Sequence, residues 1–179
     1  MKQKKCRHCK TLFTPILTMQ VVCGIECAKV IAKSKREKVE RANDRQKREQ
    51  SKTRSQWMKE AQAAFNAYIR ARDAGKPCIC CGLPLESGDI GGKFDCGHYR
   101  SVGSAPHLRF DERNAHGQRK QCNRWGAGRA VDYRIGLVAR IGLEAVEALE
   151  SDNSTKKWTR EELIAIRDEY RKKLKAMRP

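Results

Sequence analysis

Nine cysteines are spaced in a way that suits metal ions rather than disulfides. Cys6-x2-Cys9 is followed, thirteen residues on, by Cys23-x3-Cys27. Four thiolates at such spacing hold zinc tetrahedrally and leave no open position, so the ion is structural and can fold a module of roughly 25 residues too small for its own core. Cys78-x2-Cys81 opens a second knuckle, and far downstream Cys122 stands directly before Asn123. Between them lie Asp95, His98 and Asn114. Neutral imidazole takes a proton near pH 7, and carboxylate and amide oxygens suit hard Mg2+ or Mn2+ ions, which keep positions open for phosphate and water.

The order C-x2-C, D-x-x-H, Asn, and then C-N nine residues after that Asn resembles the HNH (ββα-metal) nuclease motif in its zinc-bound form. The resemblance implies a hairpin carrying Asp95 and His98, a loop carrying Asn114 and a helix carrying Asn123. It makes His98 the general base, Asp95 and Asn123 ligands of a catalytic Mg2+ or Mn2+, and Asn114 the residue that pins the loop orienting His98. Phosphodiester hydrolysis requires such a set: an in-line water, a base for its proton, and a cation for the charge on the phosphate and leaving oxygen.

These residues need elements to hold them. Residues 1–29 read as a four-cysteine, treble-clef-like zinc finger. Residues 30–75 read as one or two helices rich in Lys, Arg, Glu, Gln and Ala, with thirteen basic and five acidic residues between 30 and 72. The first half has almost no apolar stripe. The second places Trp57, Ala61, Ala64, Phe65, Tyr68 and Ile69 at helical spacing and should dock on the domain that follows. Residues 76–130, rich in Gly and turn residues, suit short strands and form the predicted nuclease core. Residues 131–179 return to helix: short helices interrupted at Gly142, then a capping box at Thr159 and Glu162 ahead of Leu163, Ile166, Tyr170, Leu174 and Met177. The expected fold class is α-rich α+β.

Composition limits the partner. The 179 residues carry 39 Lys plus Arg against 21 Asp plus Glu, a net charge of +18. A field of that sign attracts polyanions, and nucleic acid is the default among them. The basic start, MKQKKC, is followed by no apolar run like that of a signal peptide, and no stretch approaches a membrane span. The expectation is a protein of a reducing cytoplasm with no membrane partner. Arg100, Arg109, Arg113, Arg119, Lys120, Arg124 and Arg129 surround the motif as candidate backbone contacts, which position DNA without reading sequence. Trp125, among basic residues, is the one aromatic considered for DNA contact.

The string FDCGHYRSVGSAPHLRFDERNAHGQ, with the cysteine-rich front, the basic helix and the tail WTREELIAIRDEYRKKLK, is similar to the NinG (Rap) family of lambdoid bacteriophage recombination proteins over essentially the whole chain. That resemblance implies a structure-specific endonuclease, encoded by a phage or prophage, acting on Holliday junctions and D-loops in homologous recombination. A homodimer would match the near two-fold symmetry of a junction. The family pattern N-x-H-x-Q-C-x-x-C-N meets one departure here, since Arg119 stands at its first cysteine. The second zinc then has Cys78, Cys81 and Cys122, with Cys80, Cys96, His116 or water left to complete it. The rival reading is a non-catalytic, zinc-stabilised DNA-binding or architectural protein whose HNH site has decayed.

Overall fold

In the computed structural model, residues 2–85 and 94–177 are described. They fall into two compact units, divided between Lys52 and Thr53.

The first unit begins with a hairpin of two-residue strands, β1 (Lys4–Lys5) antiparallel to β2 (Leu12–Phe13). The turn between them carries Cys6 and Cys9 and is closed by Cys6 N–H donating to the Thr11 carbonyl at 2.9 Å. Lys10 takes φ 64° to complete it. Helix α1 (Ile25–Ser51) starts inside the finger, with Cys27 in its first turn, and buries none of its residues. That agrees with a sequence almost devoid of an apolar stripe. The helix stops at Lys52, and Thr53 starts a new one with a full capping box in which its hydroxyl accepts from Gln56 N–H. Thr53-x-x-Gln56 satisfies orphan N–H groups reciprocally, so the break is encoded locally.

In the second unit, α2 (Arg54–Asp73) packs on α5 (Arg160–Ala176). The stripe Trp57, Ala61, Ala64, Phe65 and Ile69 is buried with Leu163 and Tyr170, and Tyr68 lies at its margin. Met177, the last position of the expected α5 stripe, falls past the end of the helix and is exposed. Each large side chain buried in this layer stabilises by about 1.5–3 kcal/mol. The Arg167 guanidinium lies 4.7 Å from the Trp57 ring, closing the layer with a cation–π contact.

A two-stranded antiparallel sheet lies against α2: β3 (Phe94–His98) and β4 (Ala115–Arg119), with Asp95 opposite Gln118 and His98 opposite Ala115. Side chains alternate across it. Cys96, His98, Ala115 and Gly117 face α2, whereas Asp95, His116 and Gln118 face the other way. The buried Asp73 at the end of α2 ties helix to sheet, accepting from Gly117 N–H at 2.8 Å and from both Arg72 and Lys76. After β4 a π-helical turn (Gln121–Trp125) leads to α3 (Ala130–Ile141) and α4 (Leu143–Ser151). Gly142, at φ 86°, separates these two helices in a conformation that L residues rarely adopt. A second core gathers Ile79, Leu108, Tyr133, Leu137, Val146 and Leu149, and a third, small cluster holds Cys78, Leu85, Phe94 and Cys122.

Helix α3 packs so closely on the second knuckle that a Cβ on Gly136 would meet the Ile79 carbonyl oxygen at 1.9 Å. Alanine would gain about 1 kcal/mol of helix propensity, but overpacking against rigid backbone costs about 1–3 kcal/mol. Gly136→Ala should therefore lower the urea midpoint, and an unchanged or raised midpoint would show that this contact is not close-packed.

Candidate functional site

The four thiols of the first unit meet the demands of a zinc site. The sulfur atoms of Cys6, Cys9, Cys23 and Cys27 all lie within 4.8 Å of one another, with Cys9 to Cys23 and Cys23 to Cys27 each 3.5 Å. Zinc–sulfur bonds of about 2.3 Å at tetrahedral angles place sulfurs about 3.8 Å apart. The hairpin turn supplies the first pair, and the approach to α1 and its first turn supply the second. Cys23 N–H also donates to Cys6 Sγ at 3.4 Å, the N–H···S bond expected beside a thiolate.

The second cluster has three members. Cys78, Cys81 and Cys122 lie within 4.8 Å of one another, brought together by the knuckle and the π-helical turn. Arg119 N–H donates to Cys78 Sγ at 3.3 Å, so residue 119 meets this site through its backbone. None of the three side chains considered as a fourth ligand joins the cluster. Strand alternation does separate Cys96 from Asp95, but the Cys96 face is the one covered by α2, and its thiol packs in the layer of Trp57, Phe65 and Phe110. Burial there pushes the thiol up to about 12. Cys80 is held by Gln118, whose Nε2 donates to its sulfur at 2.7 Å. His116 is buried edge-on to Tyr133, ring centroids 6.4 Å apart.

Asp95 and Asn123, twenty-eight positions apart, are in contact: Asn123 Nδ2 donates to Asp95 Oδ2 at 3.1 Å. Asn123 sits in the π-helical turn, not in the regular helix that the motif implies. Arg124 clamps the same carboxylate with Nε at 2.8 Å and Nη2 at 3.1 Å. Partial burial pushes the Asp95 carboxyl up, but Arg124 and Asn123 outweigh it and hold the group below its ordinary value. An ionised carboxylate beside an amide is a fitting pair of oxygen donors for a hard cation, provided the amide turns its Oδ1 inward and Arg124 releases its hold.

Asn114 is fully buried in the loop between the strands. Its Oδ1 accepts from Arg100 N–H at 2.8 Å, and its Nδ2 donates to the carbonyls of Arg100 and Leu108 at 3.0 and 3.1 Å. One side chain thereby joins the end of β3 to the 3-10 turn at Pro106–Phe110. His98 ends β3 on the face opposite Asp95, 6.0 Å from the Phe65 ring between centroids. Its Nε2 is 3.0 Å from the Arg109 carbonyl oxygen. Burial lowers its pKa and outweighs that hydrogen bond, so the ring is neutral at pH 7 with its proton on Nε2, leaving Nδ1 to accept one.

The basic residues divide into two groups. Arg100 donates to the carbonyls of Leu149, Glu150 and Asp152 and to Asn153 Oδ1, which fixes the end of α4. Arg109 donates to Gln62 Oε1 and the Val102 carbonyl, and burial lowers its pKa. Position in the sequence casts both as phosphate ligands, and both instead direct their guanidinium donors into the protein. Arg113 bonds Asp111, and Arg129 bonds Asp132 while remaining exposed. Lys120 and Arg119 are half-buried, and Trp125 is 81% exposed between Arg124 and Gly126. Gln118 and the Arg109 carbonyl are site components that sequence reasoning missed. Gln118 belongs to no motif, and a backbone carbonyl carries no sequence signal.

Fold and site together define an α-rich α+β protein with two cysteine clusters compatible with structural zinc. The family model described as bacteriophage lambda NinG protein matches residues 1–179. The chain is 40% identical over 196 residues to the protein ninG of Salmonella phage P22, and equally to that of Escherichia phage lambda, covering 98% of this chain and 94% of each relative. The ninG protein of Enterobacteria phage H19B is 38% identical over 199 residues, with the same coverage. No solved structure matches. The chain belongs to the NinG family. Among its described residues no helix is long and apolar enough to cross a membrane.

The buried polar groups of the site can be tested through stability. Asn114→Ala removes the bonds to Arg100 N–H and to the carbonyls of Arg100 and Leu108, of which Leu108 keeps its bond from Asp111 N–H. At about 1 kcal/mol for each lost bond, the variant should be destabilised by about 2–3 kcal/mol. A loss under about 0.5 kcal/mol by urea titration would show that the loop does not depend on this side chain. His116 is held neutral by burial and the nearby Arg72, its pKa lowered from 6.5 to about 3. Below about 6.5 the unfolded chain takes a proton that the folded chain refuses, so stability is lost as pH falls toward about 3 and is unaffected above about 6.5. Between about pH 7 and pH 5, wild type should lose more of its urea midpoint than His116→Gln does; equal losses would show that His116 does not contribute.

Proposed function

We propose that the protein is a metal-dependent endonuclease acting on branched DNA. The observation that carries this reading is the contact of Asp95 with Asn123, which sets a carboxylate beside an amide where a hard cation can be held. Bound there, Mg2+ or Mn2+ would supply charge stabilisation to a phosphate and its leaving oxygen. The chain's own residues do the rest. His98, neutral and oriented by the Arg109 carbonyl, takes the proton of the attacking water at Nδ1. Asn114 holds the loop that carries that carbonyl. Asp95 and His98 leave β3 on opposite faces, so the reading puts the phosphate at the free edge of β3, within reach of both.

Branched DNA as the partner is supported by charge. Helix α1 buries none of its residues and carries nine Lys and Arg against five Asp and Glu, which suits backbone contacts along DNA arms without sequence readout. Membership of a phage family supports a role in phage recombination in the host cytoplasm, and a homodimer would suit a two-fold substrate.

One observation favours the rival reading of a zinc-stabilised DNA-binding protein without catalysis: the two bonds from Arg124 to Asp95 occupy the carboxylate that a cation would need. A labelled four-way junction and a matched linear duplex, each with Mg2+, Mn2+ or EDTA, separate the two. The nuclease reading expects cation-dependent cutting of the junction, reduced about 10²–10⁴-fold in His98→Ala with junction binding unchanged. Binding without cutting, alike in wild type and His98→Ala, would establish the rival.

A further inference from the structure

The finger carries an apolar surface that its own fold does not use. Within four positions Ile16, Leu17 and Met19 are 83%, 69% and 88% exposed, and large apolar side chains grouped on a surface mark contact with a partner. The loop that presents them is held in place. Pro15, at its start, is buried, and Gln20 N–H closes a turn onto the Leu17 carbonyl at 2.9 Å. The Gln20 side chain spans the loop, its Oε1 accepting from Ile16 N–H at 2.7 Å and its Nε2 donating to the Val22 carbonyl at 2.9 Å. Lys4 Nζ donates to the Thr18 carbonyl at 2.6 Å.

Charge identifies the partner. The first 25 residues hold five Lys and Arg and no Asp or Glu. Two of those cations border the loop: Lys4 through its bond to Thr18, and Arg7, whose N–H donates to the Val21 carbonyl at 3.0 Å. Arg7 also lines an open groove of about 410 Å³ with His8 and, from α1, Ser34, Lys35 and Lys38. No carboxylate lines that groove, and among the described residues Arg7, Lys35 and Lys38 form no ion pair, so their charge is open to an incoming anion. Two such fingers meeting tip to tip would set cation against cation. A partner that offers both an apolar face and phosphates meets no such conflict, and DNA with an exposed base pair is such a partner.

We infer that the loop carrying Ile16, Leu17 and Met19 is a wedge that packs on the base pair left unstacked at a DNA branch point, while Arg7, Lys35 and Lys38 hold phosphates of the adjoining strand. Aliphatic side chains that enter a continuous duplex must first separate stacked bases. At a branch that separation already exists. The wedge therefore favours branched over linear DNA without reading sequence. The inference rests on the branched-DNA partner proposed above, not on cleavage, and needs neither Asp95 nor His98.

DNA binding by the full-length protein tests it, in the His98→Ala background and without added Mg2+, so that DNA is not cut. The triple variant Ile16→Ser/Leu17→Ser/Met19→Ser changes only exposed side chains and should keep the urea midpoint of its parent. It should bind a four-way junction at least about tenfold more weakly, the worth of one buried aliphatic side chain, and linear duplex as the parent does. Met19→Ser alone should show a smaller loss in the same direction. The emission of 2-aminopurine placed at the branch should change when the parent binds and not when the triple variant does. Arg7→Gln/Lys35→Gln/Lys38→Gln should instead weaken binding to both DNAs and lower its salt dependence. Branch preference kept in the triple variant would overturn the wedge and leave the branched-DNA reading standing, whereas a parent without branch preference would overturn both. If the triple variant binds the junction normally but loses self-association, or loses binding to phosphatidylglycerol vesicles, the loop serves a second copy or a membrane and the inference is overturned.

Discussion

A two-stranded sheet has two faces and no neighbouring strands to share the work of covering them, and the second unit is organised around that constraint. The β3–β4 ladder must bury one face against α2 and the other against α3 and the π-helical turn. Alternation along the strands then assigns each side chain without further choice. Cys96 and Ala115 enter the layer shared with α2, while Asp95 and Gln118 turn to the opposite face. The strand residues of chemical interest, Asp95, Cys96, His98, His116 and Gln118, take their surroundings from this assignment. A slip of one residue in register would exchange all of them.

The cores on either side are small, and polar groups carry much of the joining. Asp73 is fully buried yet bonded by Arg72, Lys76 and the Gly117 amide, so removing any partner would leave a buried charge under-satisfied. Asn114 plays the same part at the other end of the sheet, as a side chain that stands in for missing backbone pairing. The two cysteine clusters extend this economy. Where chain length does not permit a packed interior, as in residues 2–27, the four cysteine sulfurs converge in an arrangement in which a bound ion would replace hydrophobic burial.

Positive charge, which dominates the composition, is put to unlike uses. Along α1 it is exposed and serves no packing. Around the sheet, Arg100, Arg109 and Arg72 have become structural, each satisfying carbonyls or carboxylates where strands and helices end without their own caps. Arg124 is intermediate, exposed yet paired with Asp95. A basic residue near a candidate site is therefore a phosphate ligand only if its guanidinium is not already required by the fold, and the linear sequence does not record that requirement.

Much of the architecture was nonetheless legible in the residues. The spacing of Cys6, Cys9, Cys23 and Cys27 determined the first cluster, because four ligands on a short chain have few ways to converge. Periodicity determined the α2 stripe and the cap at Thr159, since both depend on neighbours three or four positions away. Four matters were decided only by tertiary structure: that Cys96 faces α2 and not the second cluster, that Arg119 meets the cluster through its amide, that Arg100 and Arg109 point inward, and that Asp95 and His98 take opposite faces. Each depends on which face of the hairpin a distant helix covers. That choice is made by packing between residues far apart in the chain, for which neither spacing nor composition carries a signal.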